Sequence, residues 1–470
     1  MSVIRLQNTI FLREKWFSEK SKYIGVKHIV IIGNGIAGIT AARHIRKKSD
    51  FEITVISGET DYFFSRTALM YVFMGHMKFE HTKPYEDWFW KKNRINLLKD
   101  WVIDVDFALK KLVCQSGCNI EYDDLILALG SKPNRFGWKG QDLKGVQGLY
   151  SYQDLDLMEE NTTEHAVTRA VIVGGGLIGV EMAEMLLTRN ISVTFLVREG
   201  RFWGNVLPAE EGAIVERHMK EHCVELQFNS ELEEIVSDDK GRVKSIRTKA
   251  GEEISCQFVG LTAGVSPNIA FLKESDLETQ RGVVVNKFLE TNQPNVYAIG
   301  DCAQNTEPVE GRRSLEQVWY TGRMMGETVA NSICKEKTAY NPGIWFNSAK
   351  FFDIEYQTYG TVLPDLQLGE RAFYWEDKTG KICVKIVYDE STNVVKGVNT
   401  FGIRMRHQVW DRWLHEKKSI LYVLEHLKDA NFDTEFYKKY EKDIVDKFNA
   451  ENATSIVLKR RNWHRILGAG

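Results

Sequence analysis

The chain has 470 residues, 43% of them hydrophobic, and a formal net charge of −2 at pH 7, so about three domains with buried cores are expected. The near-neutral charge gives no electrostatic reason to expect a nucleic-acid partner, and no segment approaches the roughly 20 apolar residues that a membrane-spanning helix needs. Seven cysteines are scattered without a CxxC pair, which argues against a disulfide framework and favours a reducing, cytoplasmic setting.

Residues 1–26 precede the first predicted strand and mix aromatic side chains with basic ones. The segment lacks the apolar core and the small-residue cleavage site of a signal peptide. Two interpretations are open: a strap that packs on the neighbouring domain, or an arm that docks on a partner or a lipid surface.

The first strong motif is a glycine turn between a predicted strand and a predicted helix, HIVIIGNGIAGITA at 28–41. Gly33 allows the turn, Gly35 lets a pyrophosphate approach the backbone, and Gly38 lets the helix pack on the strand. The unpaired N–H groups at the helix start suit phosphate. A second strand at 51–56 ends near Glu59, a carboxylate placed to bind a ribose hydroxyl. The pattern predicts a dinucleotide site.

The stretch that follows carries weaker signals. Arg66 lies among aromatic residues, either beside a bound flavin or as a surface charge at a helix start. Residues 111–129 predict a hairpin and then a buried strand that ends at Gly130. Cys114 and Cys118 of the hairpin have CxxxC spacing, which suits neither a thioredoxin-like redox pair nor a usual zinc knuckle.

A second glycine turn repeats the first one further along the chain, in AVIVGGGLIGVEMAEMLL from residue 170. Its three glycines are Gly174, Gly176 and Gly179, and the next strand is predicted at 192–197. Because the two units are far apart in the sequence, they predict two nucleotide sites.

The end of the strand at 192–197 bears on the choice between NADH and NADPH. A carboxylate there binds a free ribose 2′-hydroxyl, whereas an arginine suits a 2′-phosphate. The chain has Val197 followed by Arg198 and Glu199, a mixed signal that leans slightly to NADPH. Arg198 as a plain surface charge is the alternative.

The rest of the chain contains one further candidate polar site and then a change to an alternating hydrophobic pattern. A strand at 295–301 ends at Asp301, a carboxylate placed to bind a polyol hydroxyl, and another strand is predicted at 257–267. Alternation predicts antiparallel strands at 345–361, 371–375, 382–389 and 394–400. Helices are predicted at 315–333, 407–415, 419–427 and 434–449. No metal site is predicted.

The final stretch, SIVLKRRNWHRIL at 455–467, mixes apolar and basic residues. It is either a surface-binding amphipathic tail or a segment packed on its own domain or on a dimer mate.

Four motifs together resemble the two-dinucleotide flavoproteins of the pyridine nucleotide–disulfide oxidoreductase superfamily. They are GNGIAG at 33–38 with Glu59, YDDLILALGSKP at 122–133, GGGLIGVE at 174–181 and TNQPNVYAIGDCA at 291–303; GVSPN at 264–268 also matches. FSRTALMYVFMG at 64–75 is similar to the branch containing rubredoxin reductases, nitrite reductase flavin domains and NADH oxidases. The region after 340 is similar to the C-terminal interface domain of that branch.

The resemblance implies an α/β fold class, with two Rossmann-like domains that bind dinucleotides and a C-terminal α+β interface domain. The implied boundaries are an N-terminal extension at 1–26, a discontinuous FAD-binding domain at 27–147 and 273–338, an NAD(P)-binding domain at 148–272, the interface domain at 339–450 and a basic-aromatic tail at 451–470.

The resemblance also implies the residues that bind FAD and NAD(P)H. On the FAD side they are Gly33, Gly35, Ile36, Ala37, Gly38, Glu59, Arg66, Val102, Ala128, Gly130 and Asp301. Glu59 would bind the adenosine ribose, Val102 would face the adenine through its backbone, and Asp301 would bind the ribityl chain. On the NAD(P)H side they are Gly174, Gly176, Leu177, Ile178, Gly179, Glu181, Arg198 and Gly264, with Glu181 near the nicotinamide.

The implied function is transfer of hydride from NAD(P)H to FAD and of electrons to a separate acceptor, in the first place a small carrier of the rubredoxin or ferredoxin type. No catalytic acid or base is required for the first half-reaction. The redox cysteines of the disulfide reductases, and the single cysteine of the NADH oxidases near 65–75, are missing here, which argues against thiol, disulfide and peroxide substrates.

Two other functions are open. One is a quinone reductase held at a membrane surface by its two ends. The other is a non-catalytic flavoprotein subunit or redox sensor of a larger complex. A homodimer and peripheral membrane contact through the tails are open as well.

Overall fold

The computed structural model of the chain describes residues 25–163, 165–432 and 438–459. Nearly all of the predicted N-terminal extension and residues 460–470 of the predicted tail therefore lie outside the described residues.

The helices of the described residues alternate with strands through most of the chain and cluster near its C-terminal end. They are α1 (Ile36–Lys48), α2 (Leu69–Phe73), α3 (Asp87–Lys92), α4 (Tyr152–Thr163), α5 (Leu177–Leu187), α6 (Ala209–Glu221), α7 (Trp319–Cys334), α8 (His407–His415), α9 (Ile420–Glu425), α10 (Leu427–Ala430) and α11 (Glu441–Asn452).

The strands are mostly short. They are β1 (His28–Ile32), β2 (Glu52–Ser57), β3 (Ile95–Lys99), β4 (Val102–Asp106), β5 (Lys111–Cys114), β6 (Asn119–Glu121), β7 (Asp124–Leu127), β8 (Ser131–Pro133), β9 (Val146–Gln147), β10 (Arg169–Val173), β11 (Ser192–Val197), β12 (Glu225–Phe228), β13 (Leu232–Ser237), β14 (Val243–Thr248), β15 (Glu253–Ser255), β16 (Phe258–Leu261), β17 (Val265–Pro267), β18 (Val283–Val285), β19 (Val296–Ala298), β20 (Ala303–Asn305), β21 (Phe346–Phe351), β22 (Ile354–Gly360), β23 (Glu370–Glu376), β24 (Cys383–Asp389) and β25 (Val395–Phe401).

The first of two compact units comprises residues 25–134, 149–160 and 265–342. Its central sheet has the strand order β19-β7-β1-β2-β3 and is parallel throughout. Ile32 of β1 lies beside Ile56 of β2 and Leu127 of β7. The three inner strands, β7, β1 and β2, are mostly buried and apolar, as expected where both faces of a parallel sheet are covered.

The second unit comprises residues 135–148, 161–264 and the described residues from 343 onward. Its parallel sheet has the order β12-β11-β10-β16-β9. Strand β10 lies between β11 and β16 in the same way as β1 lies between β2 and β7 in the first unit. The internal repeat predicted from the two glycine turns is therefore also a repeat of sheet topology.

The C-terminal part of the second unit is an antiparallel sheet of order β21-β22-β25-β24-β23, together with helices α8–α11. Trp410 and Trp413 of α8 and Phe448 of α11 share one buried cluster with residues of this sheet. The start of the predicted tail belongs to the same domain: Ile456 and Leu458 pack against the cluster, and the N–H of Lys459 donates to the carbonyl of Glu425. The predicted fold class is confirmed.

Several predicted strands and helices have different limits. The strand predicted at 257–267 is two strands, β16 and β17, because Gly264 takes a left-handed φ of 86°. The strand predicted at 345–361 is the hairpin of β21 and β22, which turns at Phe352 and Asp353. The helix predicted at 315–333 begins at Trp319, since Leu315 still pairs with Gln304 in a β-bridge.

Two C-terminal helices also differ from their predictions. The helix predicted at 419–427 is two short helices, α9 and α10, and the one predicted at 434–449 is α11, Glu441–Asn452. Residues 433–437, where that prediction begins, lie outside the described residues. No helix within the described residues has both the length and the apolar character needed to cross a bilayer.

Candidate functional site

The first glycine turn joins β1 to α1 at the carboxyl end of the first unit's parallel sheet. Gly33 has a φ of 113°, and a Cβ on it would lie 2.0 Å from the carbonyl oxygen of Ala128. A Cβ on Gly38 would lie 2.1 Å from the carbonyl oxygen of Gly33. No real Cβ tolerates such distances, so both positions require glycine for the turn to close against the end of β7.

The middle glycine of this turn has the opposite surroundings. A Cβ on Gly35 would meet no atom of the described residues within 4 Å. Gly35 caps α1, no side chain bonds the exposed helix start, and its first turn carries no acidic residue. The first N–H groups of a helix have no intrahelical acceptor, so they and the positive end of the dipole face open space. This is a cradle that suits a diphosphate.

The two predicted residues after Gly35 contribute backbone to this cradle. Ile36 is partly buried against the core, and Ala37 is buried. The methyl of Ala37 packs against the first unit's other glycines, 3.0 Å from a Cβ built on Gly300 and 3.6 Å from one built on Gly322. A phosphate would contact the backbone N–H groups of Ile36 and Ala37 rather than their side chains.

The second turn repeats this geometry in the second unit. Gly174 has a φ of 118°, and a Cβ on it would lie 2.7 Å from the carbonyl oxygen of Thr262. A Cβ on Gly179 would lie 2.9 Å from the carbonyl oxygen of Gly174, whereas one on Gly176 would meet no atom within 4 Å in the part of the chain that the structure describes. Gly176 caps α5, whose first residues, Leu177 and Ile178, are half-buried and include no acid. Each unit thus carries one cradle of the same kind.

Glu59 and Arg66, predicted separately, form one ion pair. Nη1 and Nη2 of Arg66 donate to the two carboxylate oxygens of Glu59 over 2.8 and 2.6 Å. Nη1 also donates to the carbonyl of Tyr150, and the N–H of Tyr152 donates to Glu59 Oε1. Burial lowers the pKa of Arg66, but the bonds to Glu59 outweigh it and leave the pKa raised. Arg66 is therefore a positioning partner of Glu59 and not a plain surface charge.

Tyr150 connects this pair to Asp301. The guanidinium of Arg66 lies 4.5 Å from the centroid of the Tyr150 ring. The Tyr150 hydroxyl donates to Asp301 Oδ2 over 3.2 Å and accepts from the N–H of Ser131. The Ser131 hydroxyl donates to the same oxygen over 3.2 Å. Asp301 Oδ1 has no hydrogen-bond partner among the described residues and stays available for a ligand hydroxyl.

The environment of Asp301 alters its acidity. Burial raises its pKa, while the hydrogen bonds from Tyr150 and Ser131 and the charge of Arg66 oppose the rise. Sequence reasoning found Asp301 and Arg66 but missed Tyr150, which lies 84 positions from Arg66 and 151 from Asp301. No local motif marks this tyrosine, so the sequence offered no signal for it.

The other predicted FAD-side residues belong to the same unit. Gly130 has a φ of 66°, and a Cβ on it would lie 3.0 Å from the Tyr150 hydroxyl. Val102 is buried at the start of β4. Its neighbour Trp101 lies against Gly58, next to Glu59, where a Cβ would be 2.1 Å from the indole. The residues adjacent to Val102 and Glu59, Trp101 and Gly58, are thus in contact.

The second cradle has a carboxyl group nearby on its own helix. Burial, together with the charge of Glu184, raises the pKa of Glu181 to about 7, and Lys350 opposes the rise. Lys350 of β21 pairs with Glu184 over 2.8 Å. Glu181 therefore has a substantial neutral fraction at physiological pH.

The remaining predicted NAD(P)H-side residues are exposed. Arg198 directly follows β11, has a side chain 72% exposed and pairs with Glu199 over 2.9 Å. Gly264 lies beyond β16 with its left-handed φ. Gly264 is exposed, as Arg198 is.

The cysteines show no redox pair. None of the seven forms a disulfide, and burial raises the pKa of Cys114 and of Cys302 to about 12. Cys302 follows Asp301 directly but is a buried thiol rather than a thiolate. No cysteine occurs in the sequence between Gly33 and Cys114. The first unit therefore offers no thiol relay beside its cradle.

Comparison with known proteins gives one family match that spans both cradles. The profile of the family described as pyridine nucleotide-disulphide oxidoreductase matches residues 27–326. The chain is 32% identical over 286 residues to nitrite reductase [NAD(P)H] of Bacillus subtilis, which covers 60% of this chain and 35% of the relative. The chain thus matches only about a third of that relative's length.

Other relatives are matched over most of their length. The chain is 31% identical over 398 residues to the CoA-dependent NAD(P)H sulfur oxidoreductase of Pyrococcus abyssi, covering 80% of this chain and 87% of the relative. It is 28% identical over 313 residues to rubredoxin-NAD(+) reductase of Ectopseudomonas oleovorans, covering 66% and 80%. Among solved structures, an NAD-dependent persulfide reductase from A. fulgidus has the same fold, with a TM-score of 0.78, 22% identity and coverage of 91% and 84%.

Proposed function

The chain belongs to the pyridine nucleotide-disulphide oxidoreductase family, whose cofactors are FAD and NAD(P)H, and from this premise we propose that it passes hydride from NAD(P)H to FAD and electrons on to a separate iron–sulfur carrier of the rubredoxin or ferredoxin type. The observation that carries the proposal is the pair of equivalent open glycine cradles, one in each unit. Two such cradles fit two dinucleotides.

The residues of the first unit fit FAD. The N–H groups after Gly35 would hold the diphosphate, Glu59 positioned by Arg66 would accept from the adenosine ribose, and Asp301 would accept from a ribityl hydroxyl through Oδ1. Bound FAD supplies the chemistry, because it accepts a hydride and releases electrons one at a time. The residues of the chain would orient the bound FAD and bind its charged groups.

The residues of the second unit fit NAD(P)H. The N–H groups after Gly176 would hold its diphosphate, and neutral Glu181 would donate a hydrogen bond to the nicotinamide carboxamide. Arg198 would face a 2′-phosphate, which favours NADPH slightly. We keep the predicted domain boundaries, and a cytoplasmic setting, as parts of the same proposal.

The choice of acceptor rests on what the first unit lacks. No cysteine lies in the sequence between Gly33 and Cys114, and Cys302 is a buried thiol with a raised pKa. A thiol relay beside the first cradle is therefore not part of the proposal, and the acceptor that we propose is a separate molecule. The similarity to a rubredoxin-NAD(+) reductase supports an iron–sulfur carrier.

Two matched substitutions test the two cradles. Gly35 and Gly176 have φ of −70° and −116°, which alanine adopts without strain, and a Cβ at either position meets no atom of residues 25–163, 165–432 and 438–459 within 4 Å. We expect Gly35→Ala to fold but to retain FAD at least about tenfold more weakly. Gly176→Ala should retain FAD and lose about tenfold in NAD(P)H affinity. Flavin absorbance of the purified variants and anaerobic NAD(P)H titration measure these effects.

Two results would contradict this assignment. One is a wild-type protein that stays colourless after incubation with FAD. The other is a Gly176→Ala variant that FAD leaves while NAD(P)H binding is unchanged, because the cradles would then have the reverse roles.

The acceptor is tested separately by stopped-flow mixing. The protein, reduced anaerobically with one equivalent of NADH or NADPH, is mixed with a rubredoxin, a ferredoxin, a quinone or polysulfide. We expect an iron–sulfur carrier to restore the flavin absorbance fastest. Faster reoxidation by quinone or polysulfide would refute the carrier while leaving hydride transfer intact. A flavin that neither coenzyme reduces would identify a non-catalytic flavoprotein.

A further inference from the structure

Three metal-ligating side chains meet in the second unit, away from its glycine cradle. His218 and His222 belong to α6 and its C-terminal end, and Asp353 lies in the turn between β21 and β22. One ligand atom from each residue lies within 4.8 Å of the other two. The nucleotide chemistry proposed above uses none of these residues.

The two histidines have the spacing of a helical metal-binding pair. Residues four apart lie on the same face of a helix, so two such imidazoles can bind one ion. The His218 and His222 rings are 4.7 Å apart and perpendicular. The side chain of His218 is 2% exposed, whereas those of His222 and Asp353 are 42% and 70% exposed. His218 is thus a buried ligand of the cluster, and solvent reaches the cluster at His222 and Asp353.

The turn that supplies Asp353 has an unusual backbone. Phe352 has a φ of 55°, which bulky residues rarely adopt. Its ring stacks on His222, with centroids 4.5 Å apart and planes within 8° of parallel. Asp353 Oδ1 hydrogen-bonds His218 Nε2 and lies 3.7 Å from His222 Nε2. The strained Phe352 therefore orients the imidazole of His222 and places the Asp353 carboxylate close to both histidines.

A second carboxylate holds the inner histidine from behind. Glu221 Oε2 lies 3.4 Å from His218 Nδ1, on the ring side opposite Asp353. Glu221 is itself paired with Lys381 over 2.8 Å. Histidine ligands of metals commonly donate their other ring N–H to a carboxylate, which fixes the tautomer and the ring orientation. An outer partner of this kind is the second feature that points to an ion.

We propose that His218, His222 and Asp353 bind one borderline divalent cation of the Zn²⁺ class, with water in the fourth position. Two imidazoles and one carboxylate are a ligand set that zinc takes readily, and they would separate slightly to coordinate it at about 2.0–2.2 Å. The bound ion ties the β21–β22 turn to α6. The sequence analysis predicted no metal, because the HxxxH spacing is its only local signal and Asp353 lies 135 positions from His218.

The test is Zn²⁺ binding by the full-length protein after chelator treatment and desalting, in competition with a chromophoric chelator. We expect the wild type to bind one equivalent. Asp353→Asn and His222→Gln alter partly exposed side chains, so they should fold, and each should weaken binding at least about tenfold. Glu221→Gln should weaken it about tenfold through His218. Co²⁺ substituted at the site should give intense visible bands of a four-coordinate ion.

Two matched controls separate the site from unspecific binding. His415 lies 3.4 Å from Asp411, a histidine–carboxylate pair without a second histidine, so His415→Gln should leave the affinity unchanged. Cys223 is an exposed thiol beside His222, so Cys223→Ser should also leave it unchanged. A wild type that binds no Zn²⁺ at micromolar concentration would overturn the proposal. So would equal affinities for the wild type, Asp353→Asn and His222→Gln.

Discussion

Replacing Glu211 by glutamine tests how the second unit tolerates a buried carboxyl group. Glu211 of α6 is fully buried, and its Oε2 accepts from Asn399 Nδ2 of β25 over 2.7 Å. Its Oε1 has no hydrogen-bond partner in the described part of the chain. Burial raises the pKa of Glu211 to about 8, although the bond from Asn399 and the charge of Lys385 oppose the rise. The group is therefore largely neutral in the folded protein at pH 7.

The magnitude follows from the difference between the folded and unfolded states. An unfolded glutamate titrates near 4.5, so between pH 4.5 and about 8 the unfolded state binds fewer protons than the folded state. The free energy of unfolding must then fall as pH rises through this window. A shift from 4.5 to about 8 corresponds to roughly 5 kcal/mol in total. About 3 kcal/mol of it falls above pH 5.5, a range convenient for measurement.

The assay is urea unfolding from pH 5.5 to 8.5, followed by the fluorescence of the tryptophans, of which Trp410 and Trp413 are buried in the same unit as Glu211. Glutamine does not ionise. Over this range the free energy of unfolding of the wild type should therefore fall by about 3 kcal/mol more than that of Glu211→Gln. The matched control is Glu210→Gln, since Glu210 pairs with Lys385 and has a lowered pKa. Parallel pH profiles for the wild type and Glu211→Gln would refute the reasoning.

Three further substitutions address the nucleotide sites. Arg66→Lys removes the two-bond contact to Glu59 and should weaken FAD binding about tenfold, measured by flavin release on dilution; unchanged retention would mean that Glu59 needs no positioning. Arg198→Ala should raise the Kd for NADPH about tenfold and leave that for NADH unchanged, and equal effects on both would make Arg198 an ordinary surface charge. Glu181 has a pKa of about 7 and therefore ionises as pH rises. The affinity for NAD(P)H should fall by up to about tenfold from pH 6 to 8 in the wild type but stay constant in Glu181→Gln. An affinity that still falls with pH in the variant would assign the dependence to another group.

Local chemistry let the sequence determine the two glycine turns of the fold. Gly33 and Gly174 need a positive φ and lie against a carbonyl of the neighbouring strand, so only glycine fits, and such positions are visible in the sequence. Strand β11 has the predicted limits, 192–197, because its apolar run is bounded by polar residues. The prediction of one strand at 345–361 was wrong because a turn at Phe352, which has no turn signal in the sequence, divides it. A bulky residue with positive φ is not a turn signal.

By itself, then, the sequence determined the repeated strand–turn–helix unit with its two glycine turns and the family, since these depend on glycines and apolar runs that act over a few residues. The tertiary structure alone decided that Arg66 positions Glu59, that Tyr150 joins them to Asp301, and that Asp353 reaches His218. Those contacts span from 7 to 151 positions and form only when strands and turns pack. Their geometry depends on the packed chain, and no periodicity or spacing in the sequence encodes it.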